Sequence, residues 1–422
     1  MKPTIVIGGG LAGVTVLHEL VRRGESAVLL EAESDVASVT SFGSGGLLTA
    51  SMSDPWNGPG VGRHLFSSLF NPYAAMKLHP RVIPSLFGWG LQFLRNSTPE
   101  RHRRATTSNF ILGDYSVRQT LELSDEIGAE SHDMAQRGTI KLCESEKALE
   151  PVRELSAMLA PHGMRYTMLS TDEVIAREPQ LEGSRDRIAC GIFYPDDAAG
   201  DSCLFTRRLA EHTVQLGGLI RTGVRVKKIA VWNGTVGGVE TTDGETISSD
   251  RVVLATGCLS PRIAQPLGVR LQIAPAKGYA VTLDTSDWNA RPEIPIVDDA
   301  MHVAIVPLGN RLRLVGTAEF TGFDTTLTRA RLDNLHMVFE RVYPQLAEQA
   351  DRSTAEDWTG LRPMSADGVP YIGTAGPKGL WMSTGHGHLG WTLAVGSAKL
   401  LVAQMLGDAP PIEATPYRPD RH

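Results

Sequence analysis

The chain has 422 residues, 42% hydrophobic and 21% charged, with a formal net charge of −6, long enough for two globular domains. The acidic balance excludes a nucleic-acid surface, which needs a concentrated basic face, and no apolar run reaches the roughly 18 residues of a membrane-spanning helix. Its four cysteines, Cys143, Cys190, Cys203 and Cys258, show neither CxxC nor metal-ligand spacing; they read as reduced thiols, with no metal expected and dithiol chemistry excluded.

The first predicted unit is a βαβ. Residues 4–7, TIVI, form a short β-branched apolar run that suits a buried parallel strand. Gly8, Gly10 and Gly13 follow at GxGxxG spacing, which in a chain with 43 glycines is weak by itself. Context carries it: Val14, Leu17, Leu20 and Val21 recur at helical spacing, Gly24 stands at a C-cap, and 27–30 is a second apolar strand. The glycines, with Leu11 and Ala12 opening the helix, let the backbone approach a pyrophosphate whose charge meets free N–H groups and the helix dipole. Glu31 closes the second strand, where a carboxylate accepts from an adenosine ribose and repels a 2′-phosphate, disfavouring NADP. The motif stands so near Met1 that no signal peptide is expected, and the reading is a cytoplasmic protein.

Residues 82–94, VIPSLFGWGLQFL, are too short and glycine-rich to span a membrane. They read as a helix packed in the substrate domain or, with Arg101, His102, Arg103 and Arg104 just beyond, as a peripheral membrane contact over 82–104. The basic cluster alone reads as a solvated helix face. Residues 225–257 carry Asn233-Gly234 and Asp243-Gly244 turns between short β-rich runs, beginning near Val226, which predicts a three-stranded meander. A buried strand then ends in Ala255-Thr256-Gly257, small residues suited to a cofactor passing a strand's carboxyl end.

A βαβ dinucleotide unit, a late meander and a strand ending in ATG together resemble the FAD-binding domain of glutathione-reductase-like flavoproteins. That resemblance implies FAD. A nicotinamide-using relative would carry a second GxGxxG in mid-chain; none is found, so no NAD(P) is expected, and a quinone or respiratory-chain acceptor is. Toward the C-terminus, WTGLRPMSADGVPYIG (358–373) and STGHGHLGWTLAVGSAKLLVAQMLG (383–407) place a glycine loop over 385–390 before a helix over 391–406. Gly387, His388, Gly390, Trp391 and Thr392 then lie where backbone N–H groups meet the flavin pyrimidine edge, with His386 beside them.

These stretches, with TSFGSGG (40–46), PWNGPG (55–60), GDSCLFTRRLA (200–210), KGYAVT (277–282) and GTAEFTGFDT (316–325), resemble the flavin-bearing, small-subunit type of D-amino-acid dehydrogenase in the D-amino-acid-oxidase-like superfamily. The resemblance implies flavin contacts at Ser41, Ser44, Gly45 and Gly46, although the family's TSFANAG is altered here at Gly43-Ser44-Gly45. It implies an α/β fold in which a glutathione-reductase-like FAD-binding Rossmann domain (1–65, 201–268, 351–422) interleaves with an α+β substrate domain (66–200, 269–350). In that substrate domain, 151–195 and 271–343 would build a mixed sheet over the flavin face. Some sarcosine-oxidase-like relatives bind flavin through a cysteine near GLRP; 359–362 contains none, so FAD is expected to be non-covalent.

The implied reaction is oxidation of a D-amino acid at Cα by hydride transfer to flavin N5, the imine then hydrolysing to a 2-oxo acid and ammonia. The protein must hold the carboxylate and orient Cα–H; no general base is required if the amine binds neutral. Arg362 is the candidate clamp, since a guanidinium grips two oxygens at once and this one matches the GxRP arginine of related oxidases. Tyr279 is a candidate to cap the pocket and donate to the same carboxylate, or is a core tyrosine. His302, on a predicted strand, either points at the site or is a plain strand histidine. Open alternatives are a cyclic or N-alkyl substrate (D-proline, 4-hydroxy-D-proline, sarcosine) and a flavin subunit that depends on a partner.

Overall fold

The computed structural model describes residues 2–63, 76–298 and 301–421. Strand Thr4–Ile7 is wholly buried and pairs in parallel with Ala27–Leu30 on one side and Val252–Leu254 on the other. It sits inside a six-stranded sheet ordered Tyr371–Thr374, Leu380–Thr384, Val252–Leu254, Thr4–Ile7, Ala27–Leu30, Leu219–Arg221. Successive side chains on a strand alternate faces. Val6 and Leu29 therefore enter a core with helices Leu11–Arg22, Ser202–Gln215, Pro99–Ile127 and Gly390–Leu406, while Ile5, Ile7, Val28 and Leu30 enter another with Ile229, Val236 and Val239. The latter belong to the antiparallel meander Val226–Trp232, Thr235–Thr241, Thr246–Ser248, the element read from the two turn signals.

Helix Gly390–Leu406 is the innermost of its layer. The stretch Gly387–Leu406 is apolar and long enough to cross a bilayer, yet 72% of its apolar window is buried within the fold. A core role explains it: a Cβ at Gly396 would lie 2.6 Å from Cβ of Ser116, so this glycine lets the helix lie close against Pro99–Ile127.

A second sheet of nine strands faces the first across a cavity. Its order is Glu356–Ser365, Ile273–Asp284, Arg311–Phe320, Val303–Leu308, Ile296–Asp298, Thr139–Cys143, Cys190–Tyr194, Thr167–Ser170, with Met76–Leu78 parallel to Arg311–Phe320. Helix Arg329–Val342 covers one face, through Leu332, Leu335 and Phe339; Ala280, Ala304 and Val315 turn the other way. Cys143 and Cys190, distant in sequence, are opposite partners in this sheet, and all four cysteines are free thiols.

Two segments depart from the expected division. Glu356–Ser365, placed by sequence with the cofactor domain's 351–422, pairs with Ile273–Asp284 over ten registered positions and is an edge strand of the second sheet. Helix Pro99–Ile127, placed with 66–200, buries Phe110, Leu112 and Val117 in the first sheet's core, because small residues let it pack on Gly390–Leu406. The mixed sheet also takes Met76–Leu78 and Thr139–Cys143, beyond 151–195 and 271–343. The expected boundary at 65/66 lies outside the described residues.

Candidate active site

Between the sheets runs a cavity of about 1090 Å³, reaching from the Gly8 turn and Glu31 to Arg362 and Trp56. At its first end Gly8 adopts φ 108°, and a Cβ on Gly13 would stand 1.8 Å from the Gly8 carbonyl oxygen. Only glycine permits so tight a turn. Gly8, Gly10, Leu11 and Ala12 line the cavity; Gly13 packs behind the turn. Glu31 is held by the Gly9 N–H donating to Oε2 at 2.5 Å and the Glu33 N–H donating to Oε1 at 2.8 Å, which leaves further lone pairs for a ribose. Val226, Thr256 and Gly257 complete this end.

In the middle, Ser41, Ser44 and Gly45 line the cavity, while Gly46, at φ 74°, lies against the Gly200 carbonyl behind it. Ser41 Oγ accepts from the Leu11 N–H at 3.1 Å. The Ser44 hydroxyl lies 2.6 Å from that of Ser202, and its carbonyl accepts from Arg313 Nη1 at 3.0 Å. Arg313 in turn pairs with Asp201 at 3.2 Å, the residue that caps helix Ser202–Gln215. Burial lowers the pKa of Arg313. Ser44 thus ties the altered Gly43-Ser44-Gly45 run to helix Ser202–Gln215 and to strand Arg311–Phe320 of the second sheet.

Gly387, His388, Gly390, Trp391 and Thr392 line the opposite wall. Trp391 Nε1 is buried without a partner among the described residues, and Thr392 Oγ1 accepts from the Thr49 N–H at 3.1 Å. Burial holds His386 and His388 down at about 4, so both rings are neutral at pH 7. His386 Nε2 lies 3.1 Å from Ser397 Oγ. A glycine cradle for a pyrophosphate and a ribose carboxylate along one elongated cavity fit FAD.

Arg362 occupies the far end. It lies across Gly278, where a Cβ would stand 2.4 Å from the guanidinium carbon, so the glycine of the KGY stretch makes room for it. Nη1 donates to the Thr317 carbonyl at 2.9 Å, and Cζ lies 5.5 Å from the Trp56 ring centre. No carboxylate pairs with it among the described residues. Burial lowers its pKa to about 10, so it remains a cation at neutral pH. Trp56 also stacks on His388, with ring centres 5.2 Å apart.

Two expectations are corrected. The Tyr279 hydroxyl is not aimed at a substrate carboxylate: it donates to Glu319 Oε2 at 2.6 Å and lies 3.1 Å from Thr328 Oγ1. Glu319, buried beside Arg331 and Lys277, takes that donor because a buried carboxylate must be satisfied. His302 lies in the turn before strand Val303–Leu308, not on it; its side chain is exposed and its φ is 50°, though it borders the cavity. Sequence reading missed Thr317, whose φ of 55° is unusual for a β-branched residue. It also missed Trp56 and His102, which turns from the basic cluster to place Nε2 3.1 Å from the Pro55 carbonyl.

The family model for FAD dependent oxidoreductases (DAO) matches residues 4–404. A D-amino acid dehydrogenase of Methylobacterium nodulans is 36% identical over 408 residues, covering 97% of this chain and 96% of its own. Among solved structures, a glycine oxidase from Geobacillus kaustophilus superposes with a TM-score of 0.77 at 21% identity, covering 99% of this chain and 98% of its own. An L-proline dehydrogenase from P. horikoshii does so with a TM-score of 0.78 at 19% identity, covering 100% and 97%.

Proposed function

The chain belongs to the FAD-dependent D-amino acid dehydrogenase family of the DAO oxidoreductases, and from that premise we propose that it oxidises D-amino acids to 2-oxo acids and ammonia. The observation that carries this reading is Arg362, a buried guanidinium at the cavity's end with no carboxylate partner among the described residues. Bound FAD supplies the hydride acceptor. Arg362 holds the substrate carboxylate, and its bond to Thr317 fixes the guanidinium plane. Trp56 and the neutral His388 form a flat wall that limits how Cα–H can turn. Held at about 4 by burial, His386 and His388 are too weakly basic to take the ammonium's proton, so the amine gives it to solvent before oxidation, and water hydrolyses the released imine.

FAD is held without a covalent bond. The cavity's cysteine, Cys258, has its pKa raised by burial to about 12, which keeps it a thiol. The single dinucleotide turn of the sequence supports a quinone or other non-pyridine acceptor. Helix Ile83–Arg95 supports a site of exchange at the inner face of the cytoplasmic membrane: Trp89 and Phe93 face inward, while Ile83, Phe87, Leu91 and Leu94 are 40%, 70%, 44% and 49% exposed, with Arg95 beside them. The test is dye-linked turnover of D-alanine with 2-oxo acid and ammonia both quantified. Equimolar products support the reading; a reduced dye without ammonia overturns it.

A further inference from the structure

The cavity wall holds a second charge that carboxylate binding does not use. Asp54 lines the cavity half-buried, with no hydrogen-bond or ion-pair partner among the described residues; it acts electrostatically on His388, a ring that burial keeps neutral. Its segment is otherwise tied down. Ser51 Oγ donates to Asp197 at 2.5 Å, Ser53 Oγ to the Ala50 carbonyl at 2.5 Å, and Asn57 Nδ2 to the Ala366 carbonyl at 3.2 Å. Asn109 Nδ2 reaches the Ser53 carbonyl at 3.1 Å, and Pro55 packs so closely on Gly368 that a Cβ there would lie 2.2 Å away. The carboxylate is thus presented on a fixed backbone two residues before Trp56, whose ring lies over Arg362. A rigidly held carboxyl group in a binding cavity that meets no cation among the described residues is arranged to meet one on a ligand. Lys141, which lines the same cavity, already has a partner.

We propose that Asp54 is a specificity-determining residue that receives the cationic side chain of the substrate, so that this chain favours basic D-amino acids. The proposal rests on the D-amino acid reading above and deepens it. With the α-carboxylate on Arg362, the side chain of a bound amino acid extends along the wall that carries Trp56 and Asp54, and a terminal ammonium makes a charge-assisted hydrogen bond there. An uncharged chain of equal length would leave Asp54 unpaired and partly desolvated, which costs affinity.

The experiment compares D-lysine with its isostere D-norleucine, and D-arginine with D-citrulline, in dye-linked steady-state kinetics of the FAD-loaded enzyme and of D54N and D54E. The wild type should favour each cation in kcat/KM. In D54N that preference should fall roughly 10- to 100-fold, carried by KM, and D54E should recover part of it. An equal fall in kcat for charged and neutral substrates would overturn the proposal, because Asp54 would then act at the α-amine. Wild-type D-norleucine turnover as efficient as that of D-lysine would overturn it while leaving D-amino acid oxidation standing. No turnover of any D-amino acid would remove both.

Discussion

Arg362 donates through Nη1 to the carbonyl of Thr317 at 2.9 Å, and Thr317 presents that carbonyl from a left-handed backbone with φ 55°. The pair joins two strands of the second sheet that are not neighbours, with Ile273–Asp284 between them. The strained residue holds a cavity cation that has no carboxylate partner among the described residues, the arrangement expected where strain serves a site.

Replacing Arg362 tests the clamp. Arg362→Ala and Arg362→Lys should lose about 2–5 kcal/mol of transition-state binding for D-amino acids, the cost of truncating one partner of a buried, hydrogen-bonded charge pair. Lysine should rescue little, because it lacks the planar fork. Steady-state kinetics at matched flavin content measures this; a change under threefold would contradict the assignment.

Thr317→Gly separates strain from function. Glycine removes the left-handed cost of about 1–2 kcal/mol against an entropic penalty of about 0.5–1 kcal/mol. It also removes a buried hydroxyl that has no partner among the described residues. Thermal melting should therefore stay level or rise, while KM stays within about threefold, because Arg362 bonds the main-chain carbonyl that glycine keeps in the same left-handed conformation. A lower Tm, or a KM raised tenfold, would contradict this.

Acid should destabilise the protein through its buried histidines. His18, His132, His386 and His388 each have a pKa lowered from 6.5 to about 4, chiefly by burial. Between those values the unfolded chain binds more protons than the folded one, so stability rises with pH. The contribution is complete above 6.5 and is lost as pH falls toward 4, up to about 3 kcal/mol for each histidine. Urea unfolding at pH 7 and pH 5 should show the drop, with a shallower slope in His386→Gln.

The exposed face of helix Ile83–Arg95 should bind anionic vesicles. Each apolar side chain inserted contributes about 1.5–3 kcal/mol, so Phe87→Asp with Leu91→Asp should abolish co-sedimentation while leaving turnover with a soluble dye intact. A wild-type protein that stays in the supernatant would contradict the membrane contact.

Local chemistry made much of this fold legible. The strands Thr4–Ile7 and Ala27–Leu30 and the meander follow from β-branched runs and Asn-Gly or Asp-Gly turns, signals that need no partner to be read. Arg362 was found because a guanidinium in the GLRP run matches a known carboxylate clamp. Tyr279 could be read either as a pocket cap or as a core tyrosine, because its partner, Glu319, lies forty positions away, on a neighbouring strand where sequence gives no register. Thr317 carries no signal, since its φ arises at an irregularity between strands Ile273–Asp284 and Arg311–Phe320. His102 read as part of a solvated helix face and Asp54 drew no reading at all; only tertiary packing brings them to the cavity.

The central claim is that this cavity oxidises D-amino acids, and the most direct measurement is anaerobic. The FAD-loaded protein is mixed with D-lysine, D-alanine and D-proline and separately with their L-enantiomers, and the oxidised-flavin absorbance band is followed. The account predicts rapid bleaching by the D-enantiomers, fastest with D-lysine, and none by the L-forms. Bleaching by L-forms, or a flavin that no amino acid reduces, would contradict it.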